Sequence, residues 1–367
     1  MKTLEAAARP FARPVQRVDI GVTHASTMIE PVLPAAHGPL STAVRCALTG
    51  PPSVDHLARI GASVRDSDPY GLDLQLALSM CYELHYRGLA GVDPAWEWNP
   101  TLLGLRAELE RVFLAGVRRD VGHIDPDQTA AAEMEALTVE PVDGTGPSYY
   151  LRDTGTWQQM CEYFVHRSLY HLKEGDPHAF AIPRLTGVAK AAFVAIEFDE
   201  YGAGRGSRLH QQLFADLLAA AGLDAMYWGY VDAVPAEALA VVNLMSLFGL
   251  HRSLRGAAIG HFASTEITSP PGSQRMVKAL QRLQAPAACI EFYSEHVEAD
   301  AVHEHVVRID VVGDLVAQDP QLEHDVIFGI RAHAAVEGRL AERIMSSWGR
   351  NQTSLRTPLE QMSVPAS

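Results

Sequence analysis

Two histidines and one aspartate form the pattern H-x-x-x-D-x-x-H, in which His296, Asp300 and His303 lie four and then three residues apart. At about 100° per residue, this spacing puts all three side chains on one narrow stripe of a helix. Imidazole together with carboxylate is the ligand mixture of non-haem iron and related divalent metals. The pattern therefore favours metal ligands on a single helix, with an ordinary acidic helix face as the simpler alternative.

Four more side chains that could bind a metal lie at the ends of other predicted helices. Glu174 follows a histidine-rich segment, and Glu266 lies near the end of a long apolar one. Glu200 and His210 flank the glycine-rich break YGAGRG. A carboxylate buried at the end of an apolar helix needs a partner, which would indicate a cation. Each residue alone is better explained as a surface or helix-end side chain. Together they supply acids and histidines from separate helices, as metal centres in helical bundles require.

Helical patterns dominate the chain after residue 56, and the alternation typical of strands is nearly absent. We therefore predict an all-α fold. Gly88 suits the C-terminal end of one helix, Asn99 suits the N-cap of the next, and Pro270 and Pro271 are expected to separate two others. The predicted helices span residues 72–87, 101–119, 129–137, 156–173, 185–200, 207–221, 235–266, 273–284, 287–317 and 321–348.

The chain divides by composition into four parts. Residues 1–55 are rich in proline and alanine and are predicted to be a flexible arm, and residues 350–367 are predicted to be a polar tail. Between them we expect an N-terminal helical extension over residues 56–148 and the main helical bundle over residues 149–349. The extension is suited to a homodimer interface or to a lid, and its composition fits both.

The overall composition limits the partners of this protein. The chain has 367 residues, and its formal charge of −14 argues against nucleic acid or an anionic membrane as the main partner. No apolar run approaches the roughly 18 residues of a membrane helix, and the N-terminus lacks the apolar stretch of a signal peptide. The four cysteines are far apart and form no C-x-x-C pair, which is typical of reduced thiols in a cytoplasmic protein.

A ferritin-like bundle is the first alternative for such a set of ligands. It needs Glu-x-x-His on each of two helices. Here Glu162 and His166 are four residues apart, and Glu83 and His85 are two apart, so neither pair has the spacing of a ferritin-type site.

The glycine-rich break after Glu200 lacks the preceding strand of a dinucleotide-binding loop, so we interpret it as a hinge between ligand-bearing elements.

The ordered set of ligands resembles that of the haem-oxygenase-like diiron oxidases and oxygenases, a superfamily of iron-containing redox enzymes, and most closely that of its N-oxygenase members. Three stretches carry the resemblance, namely HLKEGDPHAFAIPRL, EFDEYGAGRGSRLHQQLF and HVEADAVHEH. The implied fold is a haem-oxygenase-like helical bundle with an N-terminal helical extension. Glu174 matches a glutamate that the N-oxygenating members use, and Glu197 or Asp199 could take the place of Glu200. The implied metal ligands are Glu174, Glu200, His210, Glu266, His296, Asp300 and His303.

The resemblance implies a non-haem diiron enzyme that uses O2 to oxidise a small organic substrate. It favours N-hydroxylation of an amine and leaves C–C bond cleavage and desaturation open. The cofactors would be two Fe(II)/Fe(III) ions, although manganese would suit the same ligands. O2 would be the co-substrate, and a reductase or ferredoxin-like protein would be the electron donor. The ligands other than Glu174 are also the expected catalytic residues. The expected distribution is Glu200, His210 and His303 on one iron, His296, Asp300 and Glu174 on the other, and Glu266 as the bridge.

Two other classes of function stay open at this point. An enzyme of the same fold without a diiron centre would use haem, thiamin or quinone chemistry, and would need a lone proximal histidine or a pocket for an organic cofactor. A non-catalytic helical binding protein would use the acids and histidines as a structural network. Such a protein would be indifferent to iron and to oxygen, so iron binding and oxygen reactivity distinguish the three classes.

Overall fold

The computed structural model describes residues 30–50, 57, 61–140 and 144–359, without the side chains of residues 61, 62 and 298–302. All regular elements among these residues are helical, which confirms the all-α prediction. None of the described helices has the length and apolar character needed to cross a lipid bilayer. The α-helices are α1 (Pro39–Leu48), α2 (Gly61–Arg65), α3 (Leu72–Glu83), α4 (Pro100–Val121), α5 (Ala130–Leu137), α6 (Pro147–Asp153), α7 (Trp157–His171), α8 (Asp176–Ala179), α9 (Gly187–Glu200), α10 (His210–Ala220), α11 (Ala236–Leu250), α12 (Arg255–Arg282), α13 (Ala287–Val306), α14 (Asp314–Gln318) and α15 (Glu323–Gly349).

Local sequence signals set the starts of several helices. The side chain of Asn99 accepts hydrogen bonds from the first N–H groups of α4, with a proline in the first turn. Thr156 and Gln159 form a reciprocal capping box at the start of α7. Both helices therefore begin within one residue of the predicted position.

The main bundle is organised around α12, which packs along both α13 and α15. Two glycines lie where α12 meets α15. A Cβ atom on Gly260 would come within 2.0 Å of the backbone oxygen of Val326, and one on Gly329 within 2.1 Å of the backbone oxygen of Ala257. No residue with a Cβ atom fits at these distances. Glycine at both positions therefore lets the two helix backbones lie in direct contact. This contact fixes the position of α12, which carries Glu266.

Two predictions about helix boundaries around α12 were wrong. Residues 235–266 do not form one helix, because His251 is extended (φ −103°, ψ 111°) and the 3-10 turn Arg252–Leu254 separates α11 from α12. Conversely, Pro270 and Pro271 do not separate two helices, because both lie inside α12. Each proline removes one helical hydrogen bond. The packing of α12 against two neighbouring helices along its length outweighs that loss.

A π-helix, Val307–Gly313, follows α13 and begins four residues after His303. The predicted helix 287–317 is therefore three elements in succession, α13, the π-helix and α14. Helical periodicity alone does not reveal so short a π-helix, which differs from an α-helix by hydrogen bonds that join residues five apart. Such segments are found preferentially at functional sites.

The helix α1 lies in the stretch that was predicted to be a flexible arm. Its residues Leu40, Val44 and Leu48 are spaced four apart, are buried, and pack towards α3. In the predicted polar tail, Ser354 and Leu355 are also buried. These parts of the arm and tail therefore belong to the core. Residues 1–29, 51–56 and 360–367 lie outside the described part of the chain, and the division into domains stays a prediction.

The N-terminal extension and the main bundle share one hydrophobic core. Helix α3 packs against α1, α4 and α11, and α4 packs against α15. Tyr82 and Phe113 of the extension belong to the same buried cluster as Phe164 and Phe248 of the bundle. The extension therefore contacts the bundle through an apolar interface, whereas its role as a dimer interface or lid stays a prediction.

Candidate metal centre

The side chains of six predicted ligands are described, and they come from five elements. None of the six is more than 6 % exposed. They are Glu174 in the turn after α7, Glu200 at the end of α9, His210 at the start of α10, Glu266 in α12, and His296 and His303 in α13. Asp300 also belongs to α13, but its side chain lies outside the described part of the structure.

These six residues form two groups that could each hold a metal ion. The first ligand group consists of Glu174, Glu200, His210 and His296, and the second ligand group of Glu200, Glu266 and His303. Within each group, the candidate ligand atoms all lie within 4.8 Å of one another. Glu200 belongs to both groups. The grouping differs from the expected one, in which Glu266 was the bridge and His210 and His303 shared an iron.

In the first ligand group, the histidines already face carboxylates. Nδ1 of His210 lies 2.7 Å from Oε2 of Glu200, and Nε2 of His296 lies 3.6 Å from Oε1 of Glu174. The other ring nitrogen of His296, Nδ1, donates a hydrogen bond to the carbonyl oxygen of Phe292 at 2.8 Å. A bond of this kind holds the ring orientation and leaves Nε2 as the ligand atom.

The charges around Glu174 favour its ionised form. Nδ1 of His171 donates to Oε2 of Glu174 at 2.9 Å. Burial alone would raise the pKa of Glu174, but His171 and His296 outweigh it and hold that pKa well below its usual range. Burial would likewise lower the pKa of His210, and the Glu200 carboxylate raises it instead. Without a metal, the group is therefore held together by ion pairs whose protons a cation would displace.

In the second ligand group, His303 lies between two carboxylates. Its Nδ1 is 3.3 Å from Oε2 of Glu266, and its Nε2 donates to Oδ2 of Asp199 at 3.1 Å. Half of the Asp199 side chain is exposed, so Asp199 does not belong to the buried ligand group. It binds Nε2, the ring nitrogen of His303 that faces away from that group. Its position matches that of a carboxylate that orients a metal-bound histidine.

Glu197, which sequence spacing offered as an alternative to Glu200, belongs to neither ligand group. It is 2 % exposed, and neither carboxyl oxygen has a hydrogen-bond partner among the described residues. Burial, followed by the nearby carboxylates Glu200 and Glu266, raises the pKa of Glu197 well above its usual range. Of the three neighbouring acids at the end of α9, Glu200 is therefore the one that the geometry places with the other ligands.

Two cavities adjoin these ligands. A small one of about 10 Å³ is enclosed by Glu174, Glu200, Glu266 and His296 together with neighbouring residues. A larger one of about 310 Å³ has Glu174 and His296 in its wall and extends between α7, α12, α13 and α15. Because Glu174 and His296 face both spaces, a molecule in the larger cavity would lie beside the first ligand group.

Sequence reasoning missed most of the polar wall of the larger cavity. Arg167 donates two hydrogen bonds to Glu337, at 2.6 and 2.7 Å, and His333 lies one helical turn before Glu337 on α15. The spacing H-x-x-x-E at residues 333–337 was a usable signal. By contrast, Arg184 does not line this cavity and donates instead to the carbonyl oxygens of Gly249 and Leu250. His171, the hydrogen-bond partner of Glu174, also lines the cavity.

Comparison with known protein families supports a metal centre in this part of the chain. A family model described as iron-containing redox enzyme matches residues 161–338, the span that contains all of the candidate ligands. Residues 161–338, just under half of the chain, are therefore similar to the iron-containing redox enzyme family. This assignment confirms the resemblance to the haem-oxygenase-like superfamily and supports an oxidoreductase with iron as its metal. A search of curated proteins found no match to the chain.

The residues present fit the iron that the family implies. Three glutamates and three histidines, all buried, make up the two ligand groups, and four of the six line one small cavity. Several carboxylates buried so close together repel one another unless a cation lies among them. Mixed imidazole and carboxylate ligands are those that non-haem iron uses. Glu174, Glu200, His210 and His296 would hold one ion, and Glu200, Glu266 and His303 the other.

Proposed function

We propose that this protein is a non-haem diiron enzyme that uses O2 to oxidise a small polar organic substrate. The observation that carries the proposal is the sharing of Glu200 by two buried ligand groups. A carboxylate common to two sites can bridge a pair of metal ions about 3.5–4 Å apart. Two Fe(II) ions bound there would supply the redox chemistry with O2.

The residues of the chain would then place the substrate beside the first ligand group. Glu174 and His296 separate the small cavity from the larger one, so a substrate in the larger cavity would meet the first ligand group. The hydrogen bond from His171 to Glu174 fixes the carboxylate at that boundary. The bond from His296 to the Phe292 carbonyl fixes the imidazole.

The wall of the larger cavity favours a polar substrate. Its volume of about 310 Å³ is at the small end of the range typical of small-molecule sites. Besides the paired Arg167 and Glu337, the hydroxyl-bearing residues Thr265, Thr268 and Ser269 line it. The hydroxyls of Thr265 and Thr268 donate to carbonyl oxygens of their own helix, which leaves their oxygens to accept hydrogen bonds from a polar substrate such as an amine.

We propose an amine nitrogen as the position that is oxidised. Support comes from Glu174, which lies in the first ligand group and which the resemblance in sequence assigns to the additional glutamate of the N-oxygenating members of the superfamily. In the balanced reaction, an amine, O2, two electrons and two protons give a hydroxylamine and water. The electrons would come from a reductase or a ferredoxin-like protein.

Anaerobic titration of the metal-free protein with Fe(II), followed by mixing with O2 and visible absorbance, tests this proposal. We expect saturation near two irons per chain and a transient absorbance after O2 is added. His296→Ala should bind at most one iron because it removes a ligand of the first group. His305→Ala, on the exposed side of the same helix, is the matched control and should behave like the wild type.

Each alternative function predicts a different outcome. A binding protein would show neither tight iron nor a response to O2. An enzyme of the same fold without a diiron centre would bind haem, thiamin or a quinone in preference to iron. If iron and O2 react as expected, incubation with small amines and mass spectrometry should detect a product one oxygen heavier.

A further inference from the structure

Gln211 directly follows the ligand His210, and its side chain reaches the segment that carries Glu174. Its Nε2 donates to the backbone carbonyl oxygen of Glu174 at 3.0 Å and to Oδ1 of Asp176 at 3.1 Å. Two ligands of the first group, one on α10 and one after α7, are therefore connected by a single side chain. A sequence search for ligands would not select this glutamine, because an amide is not an iron ligand of choice.

Arg87 of the N-terminal extension holds Gln211 in turn. One terminal nitrogen of Arg87 donates to Oε1 of Gln211 at 3.1 Å and to the carbonyl oxygen of Leu172 at 3.2 Å. The guanidinium group lies over the ring of Tyr227, 3.9 Å from its centre. Arg87 thus contacts both the end of α7, two residues before Glu174, and the residue after His210.

A buried ion pair reinforces the same junction. Nζ of Lys173 lies 3.4 Å from Oε2 of Glu83, with side chains 3 % and 0 % exposed, and the hydroxyl of Tyr227 donates to the same oxygen at 2.9 Å. Lys173 precedes Glu174, and Glu83 is the last residue of α3. Two separate contacts therefore tie the end of α3 to the residues immediately before the ligand.

The segment around Glu174 depends on such contacts because it is not part of a helix. Glu174 lies between α7 and α8, and the following Gly175 has a φ of +85°. The N–H of Glu174 lies at the long distance of 3.5 Å from the carbonyl oxygen of His171. Helical hydrogen bonding alone therefore leaves the position of this carboxylate weakly determined.

We infer that Arg87 and Gln211 are positioning residues for the first ligand group, through which the N-terminal extension sets the affinity of that group for its metal ion. The inference rests on the proposed function, since it requires that the group binds metal. It predicts an effect confined to one of two ions. Glu266 and His303 of the second ligand group have no contact with Arg87 or Gln211 among those that the structure shows.

Titration with Co(II), which gives visible bands sensitive to its ligand geometry, separates the two sites. We expect Gln211→Leu to weaken one of the two Co(II) ions about tenfold or more, as loss of a supporting hydrogen bond does at other metal sites, and to leave the other within about twofold. Arg87→Ala should weaken the same ion. Gln212→Leu is the matched control, because Gln212 is exposed and its amide bonds only to Asp216 on the same helix.

Two further variants keep the inference testable if Gln211→Leu or Arg87→Ala fails to fold. Gln211→Glu retains the acceptor for Arg87 but cannot donate to the Glu174 carbonyl, so it should weaken the same ion. Arg87→Lys keeps the charge and should recover part of the affinity. Unchanged binding of both ions, or equal weakening of both, would overturn the inference. A wild-type protein that binds no metal would instead overturn the proposed function.

Discussion

The orientation of His296 and His303 is decided by hydrogen bonds on the side of each ring that faces away from the ligand group. His296 donates to the Phe292 carbonyl one helical turn earlier, whereas His303 donates to Asp199 on another helix. The first partner follows directly from helix geometry, because position i−4 is always available. The second depends on how α9 packs beside α13. Sequence spacing could therefore suggest both histidines but could name the supporting group of only the first.

His166 is the clearest source of pH-dependent stability away from the ligands. It is buried, its Nε2 lies 2.8 Å from the hydroxyl of Ser354, and its Nδ1 has no partner among the described residues. Burial, followed by the charges of Arg167 and Arg343, lowers the pKa of His166 to about 3. The unfolded chain takes up a proton on this residue below about pH 6.5 and the folded chain does not. His166 therefore lowers the free energy of unfolding of the protein as the pH falls from about 6.5 towards 3.

We expect His166→Gln to remove this loss while keeping an amide for Ser354. Between about pH 7 and pH 5, the wild type should lose about 2 kcal/mol more of its unfolding free energy than the variant. Urea unfolding of both proteins at the two pH values measures the difference. All other titrating groups are common to the two proteins, so parallel pH dependence would mean that His166 is not held neutral in the fold.

At the scale of elements, the contact between α12 and α15 predicts that two glycines of α15 differ in how much the stability changes when each is replaced by alanine. Gly329→Ala would place its Cβ about 2.1 Å from the backbone of α12, where no flexible side chain can yield. We expect a loss of about 1–3 kcal/mol or more in urea unfolding, because the helices must move apart. Gly338→Ala on the exposed face of α15 is the control, with nothing within 4 Å of its Cβ. It should gain up to about 1 kcal/mol, as helical alanine usually does. Equal stability of the two variants would contradict the close contact.

The same elements show what sequence patterns could and could not predict. Helix starts at Asn99 and Thr156 were predictable because a cap is a local hydrogen bond between neighbours in sequence. Pro270 and Pro271 misled the prediction because their local cost is outweighed by packing between elements far apart in sequence. The candidate ligands could be named from residue types and order. Which of them face one another, and the sharing of Glu200, depend on the arrangement of five elements in space.

At the scale of the whole molecule, a chain with a formal charge of −14 buries several carboxylates in one place. Folding without a metal must therefore overcome repulsion among Glu174, Glu200 and Glu266, which the histidines beside them reduce. A cation that binds the folded state and not the unfolded one adds stability in proportion to the logarithm of its concentration. The stability of this protein should accordingly depend on metal supply.

We expect Fe(II) under anaerobic conditions, or Mn(II) as a stand-in, to raise the melting temperature progressively, by the equivalent of about 2.7 kcal/mol when the free metal is 100 times its Kd. Glu200→Gln should abolish most of that rise, because Glu200 belongs to both ligand groups. Without metal, the same variant loses one of the repelling charges but also the ion pair between Glu200 and His210, so its metal-free melting temperature is the baseline for its own response. Glu342→Gln, on the exposed face of α15, changes the net charge equally and should keep the full response to metal. Equal responses of the two variants would show that the effect comes from general charge screening and not from the buried ligand groups.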